Sequence, residues 1–404
     1  MPGPFDATSN LLFNPSDAEL EAAYNAKGRQ RTTKIASMGI EVHEAAFQAL
    51  KPENEDRTAV HESEHGLLIA VFDGHYSGDL SDYAAQTLPM MLCERIEKNV
   101  AQDPSDFSAA VERALADGIK EFDESLLRDL FEVFPECSYN DEFWGNEDEG
   151  TFEVVGYSKR DERERAARRC LVGSTALIGF IDRAKRNIWV ASLGDSEAVL
   201  GRIVDGQLQV IPLNELHNCD NASEVARVRS EHPDEPLAVS RGRTLGQLAV
   251  TRSLGDFALK TDYCLAPTII RHARPVGAVT YPFHAWEEDP NIWNPPYISS
   301  TPTIQRHDLQ PGDVLLLASD GLRAALKCVK EEDEKAKVMA ALARGVPVEK
   351  AFRHALIAPQ EGNNDADRVI RNVLFGTDKE KMLEEVQPLA GRLRDDISVV
   401  VVRL

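Results

Sequence analysis

Hydrophobic residues in this chain fall mainly into short, nearly unbroken runs that end at turn residues. Such runs are typical of strands that are buried on both faces of a sheet. Most successive runs are separated by short turn signals, which indicates largely antiparallel pairing. The runs at 174–182, 187–195 and 197–204 follow one another so closely that they predict a meander. The other runs are 66–72, 297–309, 312–321 and 397–404.

Apolar positions with helical spacing occur in two parts of the chain. Residues 81–100 and 107–130 each predict a long amphipathic helix. Residues 323–390 are mostly charged with helical spacing, and we interpret them as a helical insertion. Strands that are apolar on both faces need outer layers, which helices can provide. The pattern therefore predicts an α+β fold, a four-layer αββα sandwich of two mainly antiparallel β-sheets flanked by helices.

Two polar stretches interrupt this pattern. We interpret residues 1–33 as an N-terminal arm with a short helix, and 136–169 as an acidic, mixed-charge surface insertion. The acidic part of the insertion, 140–150, could dock a basic partner, but a solvated loop is the preferred interpretation. The length of 404 residues allows two or three domains or one elaborated domain.

The composition is that of a soluble globular protein, with 43% hydrophobic and 28% charged residues. A formal net charge of -22 disfavours a nucleic-acid partner. No apolar stretch reaches the length of a membrane span, so no membrane partner is expected. Six scattered cysteines predict reduced thiols inside a cell. We predict a cytoplasmic location, with the mitochondrial matrix as the alternative because residues 27–34 (KGRQRTTK) are basic.

One short motif matches the pattern of zinc proteases. HESEH (61–65) has the H-E-x-x-H spacing, which binds zinc when both histidines lie one turn apart on a helix. Strand-like sequence flanks this polar stretch on both sides, so we predict the tip of a β-hairpin instead. A zinc protease using His61 and His65 is kept as a hypothesis, which requires proteolysis that is lost in Glu62→Gln.

Acidic residues stand at the ends of the most apolar runs, and a further acidic pair precedes the first hairpin. Clustered carboxylates repel one another unless a cation or protons neutralise them. Oxygen ligands favour Mg²⁺ or Mn²⁺ over structural zinc. Two such ions would allow hydrolysis in which a bridging water is the nucleophile. The strand-end residues are Asp73, Asp195, Asp320, Asp395 and Asp396, and the pair is Glu55 and Asp56.

A series of motifs in one order resembles a known family, the metal-dependent, 2C-type protein serine/threonine phosphatases. The motifs are ENEDR (53–57), VFDGH (71–75), GSTALIGF (173–180), ASLGDSEAVLG (191–201), LGQLAVTRSLGD (245–256), LLLASDG (315–321) and RDDISVVVV (394–402). The resemblance runs from about residue 34 to 404, which implies one catalytic domain with a flap at about 214–246. Residues 217–233 and 295–304 are most similar to the pyruvate dehydrogenase phosphatase branch of the family.

The resemblance implies a two-metal site and a role for each matching residue. Asp73 would bridge two Mg²⁺ or Mn²⁺ ions, and a hydroxide bound to them would attack phosphorus in line. His75 matches the residue proposed to protonate the leaving Ser or Thr oxygen. Asp195 matches a ligand of a third, weaker metal. The implied ligands are Glu55, Asp56, Asp73, the carbonyl of Gly74, Asp320 and Asp395, with Asp195 for the third ion.

Two positions depart from the family pattern. Many members have an Arg that binds the substrate phosphate four residues before the Glu of the E-D pair, where this chain has Lys51. Lysine holds phosphate without a bidentate fork, and Arg57 and Lys34 are alternative cations. The residue four positions after the Asp of SDG is often acidic, whereas here it is Ala324. Two ions are therefore expected, and the third is open.

The function predicted from these observations is hydrolysis of phosphoserine and phosphothreonine in a phosphoprotein substrate. The alternative is a pseudophosphatase that binds a partner through the same fold, which the departures at Lys51 and Ala324 motivate. The retained carboxylates favour the active enzyme, since an inactive site has no need of costly clustered charge. The pyruvate dehydrogenase complex is a candidate substrate, and a monomer is expected.

Overall fold

The computed structural model describes residues 15–48, 53–134, 157–261, 269, 294–348, 351–387 and 395–404. The strands in these ranges are β1 Gly28–Ile35, β2 Ile40–Phe47, β3 Arg57–Glu62, β4 Gly66–Phe72, β5 Gly74–His75, β6 Gly173–Ser174, β7 Ala176–Asp182, β8 Asn187–Leu193, β9 Glu197–Val204, β10 Gln207–Pro212, β11 Val239–Ser240, β12 Arg243–Thr244, β13 Leu254–Gly255, β14 Thr303–Asp308, β15 Val314–Ala318 and β16 Ile397–Arg403. They form two large antiparallel sheets, ordered β1-β2-β16-β15-β9-β10 and β14-β8-β7-β4-β3.

Helices cover the outer faces of both sheets. The described helices are α1 Asp17–Lys27, α2 Asp79–Gln102, α3 Phe107–Val133, α4 Tyr157–Leu171, α5 Ala222–Glu231, α6 Asp320–Ala325, α7 Glu332–Arg344, α8 Asp365–Leu374 and α9 Lys379–Val386. Helices α2 and α3 lie against the sheet that contains β4, with α4 packed on them, and α7 and α8 lie against the sheet that contains β16. The predicted four-layer sandwich is therefore confirmed. None of the described helices is both long and apolar enough to cross a membrane.

Strand β4 shows why its sequence is apolar at every position. Leu67, Ile69 and Val71 point into the core between the two sheets. Leu68, Ala70 and Phe72 point the other way, into the core beneath α2 and α3. Because successive side chains alternate between faces, a strand that is covered on both sides has no solvent-facing position for a polar residue.

The predicted meander is wrong at its third strand. β7 and β8 pair with each other, but β9 belongs to the other sheet, between β15 and β10. The chain crosses at Gly194, whose φ is +106 and where a Cβ would lie 2.6 Å from the Thr175 side chain. Glycine therefore allows the sharp change of direction between β8 and β9.

The predicted N-terminal arm contains the short helix that was expected, and its described part packs against other elements of the chain. Residues 17–27 form α1, and β1 pairs along its whole length with β2. Tyr24 of α1 is buried, stacks on Phe47 at 5.2 Å between ring centroids, and donates a hydrogen bond of 2.8 Å to Asp367. This segment is part of the folded body, and residues 1–14 lie outside the described ranges.

The two predicted insertions contribute to the layers of the sandwich where the structure describes them. The described part of the acidic insertion, 157–169, belongs to α4, which continues to Leu171 and in which Ala167 and Cys170 are buried in the core under α3. Residues 135–156 are outside the described ranges. In the helical insertion, α7 and α8 form the outer layer over β15, β9, β2 and β16. Their charged sequences reflect one solvated face on each helix.

A small three-stranded sheet lies at the end of β4. It has the order β13-β6-β5, and its register places Gly173 opposite both His75 and Gly255. The flap region contains α5 and the β11–β12 hairpin. These short elements bring three distant parts of the chain to the rim where the predicted site residues lie.

Candidate active site

The turn after β4 is fixed by hydrogen bonds to the neighbouring strand and by a close approach of two loops. The Thr175 amide donates to the Asp73 carbonyl at 2.8 Å, and the Asp73 amide pairs with Thr175 Oγ1 at 3.1 Å. A Cβ at Gly74 would lie 2.5 Å from the Glu55 carbonyl oxygen and 2.8 Å from Ser81 Oγ. Only glycine fits at this position, so the turn and the Glu55 loop are held in contact.

The loop before β3 is tied to the start of β16. The Glu55 amide donates to Asp396 Oδ2 at 2.8 Å, and the Asp56 amide donates to Asn54 Oδ1 at 2.8 Å. Arg57 donates to the carbonyls of Asn54 at 2.5 Å and of Asp56 at 2.8 Å. These bonds hold the predicted ligands Glu55 and Asp56 on a rigid loop.

Strands β15 and β16 bring the remaining carboxylates to the same rim. The Ser319 amide donates to the Ser398 carbonyl at 3.0 Å, and the Ser398 amide donates to Ser319 Oγ at 2.9 Å. Asp320 begins α6 directly after this contact, and Asp395 directly precedes β16. Asp396 is buried and binds the Glu55 loop, whereas Asp395 is exposed. The structure therefore brings Asp320 and Asp395 together from opposite ends of two paired strands.

These carboxyls lie within electrostatic reach of one another, and this proximity raises the pKa of several of them. Burial raises the pKa of Asp73 well above its ordinary value, and the charges of Asp56 and Asp320 raise it further. Burial likewise raises the pKa of Asp320, with the charges of Asp195 and Asp395 adding to the effect. Burial raises the pKa of Asp56 to about 7. The cluster is thus costly in its ionised form without a neutralising cation.

Two oxygens of the cluster fit a cation in particular. Asp56 Oδ2 and Asp320 Oδ1 are buried and have no hydrogen-bond partner. Burying a carboxylate oxygen without a hydrogen-bond donor costs free energy, unless that oxygen coordinates a cation. In the described ranges, no group of three or more His, Cys, Asp or Glu side chains is placed so that it could hold a metal ion as it stands. The oxygen-rich donor set and its unpartnered atoms nevertheless match the ligands that Mg²⁺ and Mn²⁺ prefer.

Asp195 lies where the chain crosses from β8 to β9. Its side chain is buried, burial raises its pKa, and Asn218 of the flap lies within hydrogen-bond reach at 3.4 Å. The adjacent His217 is also buried, and its amide donates to the Gly194 carbonyl at 2.9 Å. The flap is therefore anchored beside Asp195. The acidic residue that often accompanies this aspartate in the family, four positions after the Asp of SDG, is replaced here by Ala324, which is exposed on α6.

His75 is held by an aspartate that the sequence did not single out. Its Nε2 lies 3.0 and 2.9 Å from the two carboxyl oxygens of Asp256, which is completely buried. Burial favours the neutral imidazole, but the charge of Asp256 and the hydrogen bond to it outweigh burial and raise the pKa of His75. The side chain of His75 is 23% exposed, so it can meet a ligand.

Of the three cations considered for phosphate binding, Arg57 and Lys34 lie within the described residues. Lys51 lies outside the described residues. The guanidinium of Arg57 is engaged by Asp82 and by two backbone carbonyls, so it shapes the loop. Lys34 pairs with Glu41 at 2.9 Å and is 77% exposed. Neither alternative is free to replace Lys51.

The HESEH segment is a hairpin turn, as predicted. His61 and Glu62 end β3, and His65 lies in the turn before β4. Glu62 accepts hydrogen bonds from Ser37 and Arg183. Since no helix places the two histidines on one face, the zinc-protease hypothesis is wrong.

One residue of the site, Asp256, was missed in the sequence, although it ends the quoted motif LGQLAVTRSLGD. Its contact with His75 distinguishes it from an ordinary turn residue. Arg57 and Asp396 were considered as a phosphate-binding cation and as a strand-end carboxylate, and the structure places both in contacts that hold the Glu55 loop.

Comparison with known proteins agrees with this geometry. The sequence model of the family described as Protein phosphatase 2C matches residues 41–327. The chain is 30% identical over 259 residues to the Homo sapiens protein named pyruvate dehydrogenase (acetyl-transferring) phosphatase 2, mitochondrial, covering 57% of this chain and 47% of that protein. It is 30% identical over 282 residues to a probable protein phosphatase 2C 40 of Arabidopsis thaliana, covering 66% and 51%. The chain spans about half the length of these curated relatives.

A solved structure confirms the fold. The serine-threonine phosphatase 2C from Toxoplasma gondii matches with a TM-score of 0.53 at 16% identity, covering 93% of this chain and 98% of that one. At this identity the likeness concerns the fold alone. The family assignment depends on the sequence match, which spans more than half of the chain and contains most of the site described above. The chain belongs to the protein phosphatase 2C family.

Proposed function

We propose that this protein is a metal-dependent phosphoprotein phosphatase that hydrolyses phosphoserine and phosphothreonine. The observation that carries the proposal is the carboxylate cluster with two buried, unpartnered oxygens at Asp56 and Asp320. The family of the chain and its named relatives are phosphatases, which supports the same activity. The catalytic domain is proposed to include residues 34–404, and also α1 and β1, which pack on it.

Two divalent ions, Mg²⁺ or Mn²⁺, are proposed to bind the cluster. When bound, such ions acidify water and neutralise charge on a phosphoryl group. Asp195 is proposed as a weaker third position, because its family partner is replaced by Ala324. The proposed ligands of the two main ions are Glu55, Asp56, Asp73, the Gly74 carbonyl, Asp320 and Asp395.

His75 is proposed as the general acid, since its partly exposed imidazole lies beside the turn that carries Asp73. It would supply a proton to the Ser or Thr oxygen as that group leaves. Lys51 is proposed to hold the substrate phosphate as a point charge. Lys51→Ala should then raise KM for phosphopeptides more than it lowers kcat.

The deciding experiment measures phosphate release from a panel of phosphoserine and phosphothreonine peptides, with Mn²⁺ or excess chelator. Wild-type protein should require the metal, and Asp73→Asn should be inactive. Asp308→Asn is a matched control, because Asp308 is an 83% exposed strand residue. Full activity in chelator would refute the proposal. Metal binding without turnover on any peptide would favour the pseudophosphatase, which the retained carboxylates argue against.

The pyruvate dehydrogenase complex is proposed as a substrate because a human relative carries that name. The name of that human relative also contains the word mitochondrial, which favours the mitochondrial matrix over the cytoplasm as the proposed location of this protein. Hydrolysis of the phosphorylated complex should exceed hydrolysis of an unrelated phosphoserine peptide at equal concentration. Equal rates on both would remove this substrate from the proposal.

A further inference from the structure

The imidazole of His75 and the carboxylate of Asp256 form a hydrogen-bonded pair. His75 Nε2 faces both oxygens of Asp256, at 3.0 and 2.9 Å. Asp256 is completely buried, so it has no solvent to compete for the contact. The two residues are 181 positions apart in sequence, and the small sheet that contains β5, β6 and β13 brings them together.

Asp256 is itself held rigidly. Ser253 Oγ donates a hydrogen bond to Asp256 Oδ2, and the Asp256 amide donates to the Val172 carbonyl at 3.1 Å. The preceding Gly255 amide donates to Asp123 of α3 at 2.7 Å. The backbone of Asp256 is left-handed, with φ of 50°, a conformation that a non-glycine residue keeps only where its surroundings impose it.

The space for the pair exists because residue 173 is glycine. Gly173 lies opposite His75 in one direction and Gly255 in the other. A Cβ at Gly173 would overlap both His75 Nε2 and Asp256 Oδ2. The His75 ring also meets the Tyr76 ring edge-on at 5.4 Å between centroids. The imidazole is therefore constrained on several sides.

From this geometry we propose that Asp256 is a positioning residue, which fixes the tautomer and orientation of His75 so that Nδ1 delivers the proton to the leaving oxygen. With Nε2–H donated to Asp256, Nδ1 is the nitrogen left to carry a transferable proton. This inference rests on the proposed function and assigns a role to a residue that the function alone does not require.

In this arrangement the imidazole of His75 supplies the proton that the leaving oxygen needs. The oxygen of water bonds to phosphorus while the bond from phosphorus to the serine oxygen breaks, and the electron pair of that bond stays on the serine oxygen. Nδ1 of the imidazolium gives its proton to this oxygen, the proton lost by water passes to solvent, and solvent later reprotonates Nδ1.

The inference predicts a dependence on the leaving group. Serine alkoxide is a poor leaving group that needs a proton, whereas p-nitrophenolate leaves as a stable anion. In Asp256→Asn, kcat for a phosphoserine peptide should fall about a hundredfold, because general acid catalysis contributes roughly 10²–10⁴-fold. Activity on p-nitrophenyl phosphate should change by less than about threefold, since that reaction needs little help from an acid. The Mn²⁺ concentration for half-maximal activity should not change.

A double-mutant cycle with His75→Gln tests whether Asp256 acts through the histidine. In the His75→Gln background, Asp256→Asn should cause no further loss on the phosphoserine peptide. Equal losses on both substrates, or an undiminished effect in the His75→Gln background, would overturn the inference. If Asp256→Asn does not fold, Ser253→Ala provides the test, because it removes the hydrogen bond that Ser253 donates to Asp256. Its kcat should fall by a smaller factor, and only on the phosphoserine peptide.

The controls separate this inference from the proposed function. Asp308→Asn, which removes an exposed carboxylate, should behave as wild type on both substrates. Wild-type protein that hydrolyses neither substrate with Mn²⁺ would defeat the proposed function itself. Wild-type activity on both, without the selective loss in Asp256→Asn, would defeat the positioning role and leave the phosphatase intact.

Discussion

Gly74→Ala should weaken metal binding and catalysis while leaving the fold intact. A Cβ at this position would lie 2.5 Å from the Glu55 carbonyl oxygen, whereas ordinary van der Waals contact begins at 3.4 Å. The turn or the Glu55 loop must therefore move by about 0.9 Å, and a misplacement of about 1 Å costs catalysis on the order of a hundredfold. This loss corresponds to about 2.7 kcal/mol of transition-state stabilisation.

The assay measures phosphopeptide hydrolysis as a function of Mn²⁺ concentration, together with thermal unfolding. Gly74→Ala should require more Mn²⁺ and should have a lower kcat at saturating metal. Gly201→Ala is the matched control, because the nearest atoms to its Cβ belong to the flexible Arg344 side chain of α7, at 3.1 Å. A Gly74→Ala protein with the metal requirement and kcat of wild type would show that the two loops are not held in a fixed relation.

Three further predictions concern stability. Asp365→Asn should lose about 3 kcal/mol of stability at pH 7, because the buried Arg368 would lose its carboxylate partner and keep the carbonyls of Leu342 and Ala343. Burial by itself raises the pKa of Asp365, but hydrogen bonds outweigh burial and hold that pKa below its ordinary value. That stability is present above the unfolded pKa of about 4 and is lost as pH falls through the folded pKa, so urea unfolding should show a smaller gap between variant and wild type in acid. Glu224→Gln should remove the carboxylate that Arg252 contacts at 3.0 Å and leave this guanidinium with the Thr301 carbonyl as partner, so hydrogen exchange across α5 should accelerate about tenfold or more. Mn²⁺ at a hundred times its Kd should stabilise the wild type by about 2.7 kcal/mol and raise its Tm, an increase that Asp73→Asn should lack. Unchanged pH dependence, exchange or Tm would contradict the respective prediction.

The sequence predicted the layers of the fold because they depend on local periodicity. An unbroken apolar run such as 66–72 can be satisfied only by burial on both faces, and that requirement alone implies a sheet between two covering layers. The paired helices at 79–102 and 107–133 were predicted within a few residues for the same reason, since their apolar stripes are long and regular.

The connections between sheets could not be read in the same way. The apolar run of β9 can be buried equally well in either sheet, so nothing local distinguishes a meander from a crossing at Gly194. Among the side chains of α4 that the structure describes, 162–171, a stripe that includes Ala167 and Cys170 is buried, and the many charged residues of the helix hide this stripe in the sequence. Small residues carry a weak periodic signal, which explains why the helix was taken for a solvated insertion.

The candidate site divides into two halves, and the sequence predicted them unequally. The carboxylate half is built from strand ends of both large sheets, and acidic residues directly after apolar runs are visible in the sequence. The other half, which contains the proposed general acid His75, depends on the small sheet β13-β6-β5, where His75 and Asp256 meet across Gly173. None of these three residues has a local pattern that reveals the contact. Because Gly74 lies between Asp73 and His75, a side chain there should disturb both halves, whereas loss of Asp256 should disturb only proton delivery; the two substitutions therefore test the division independently.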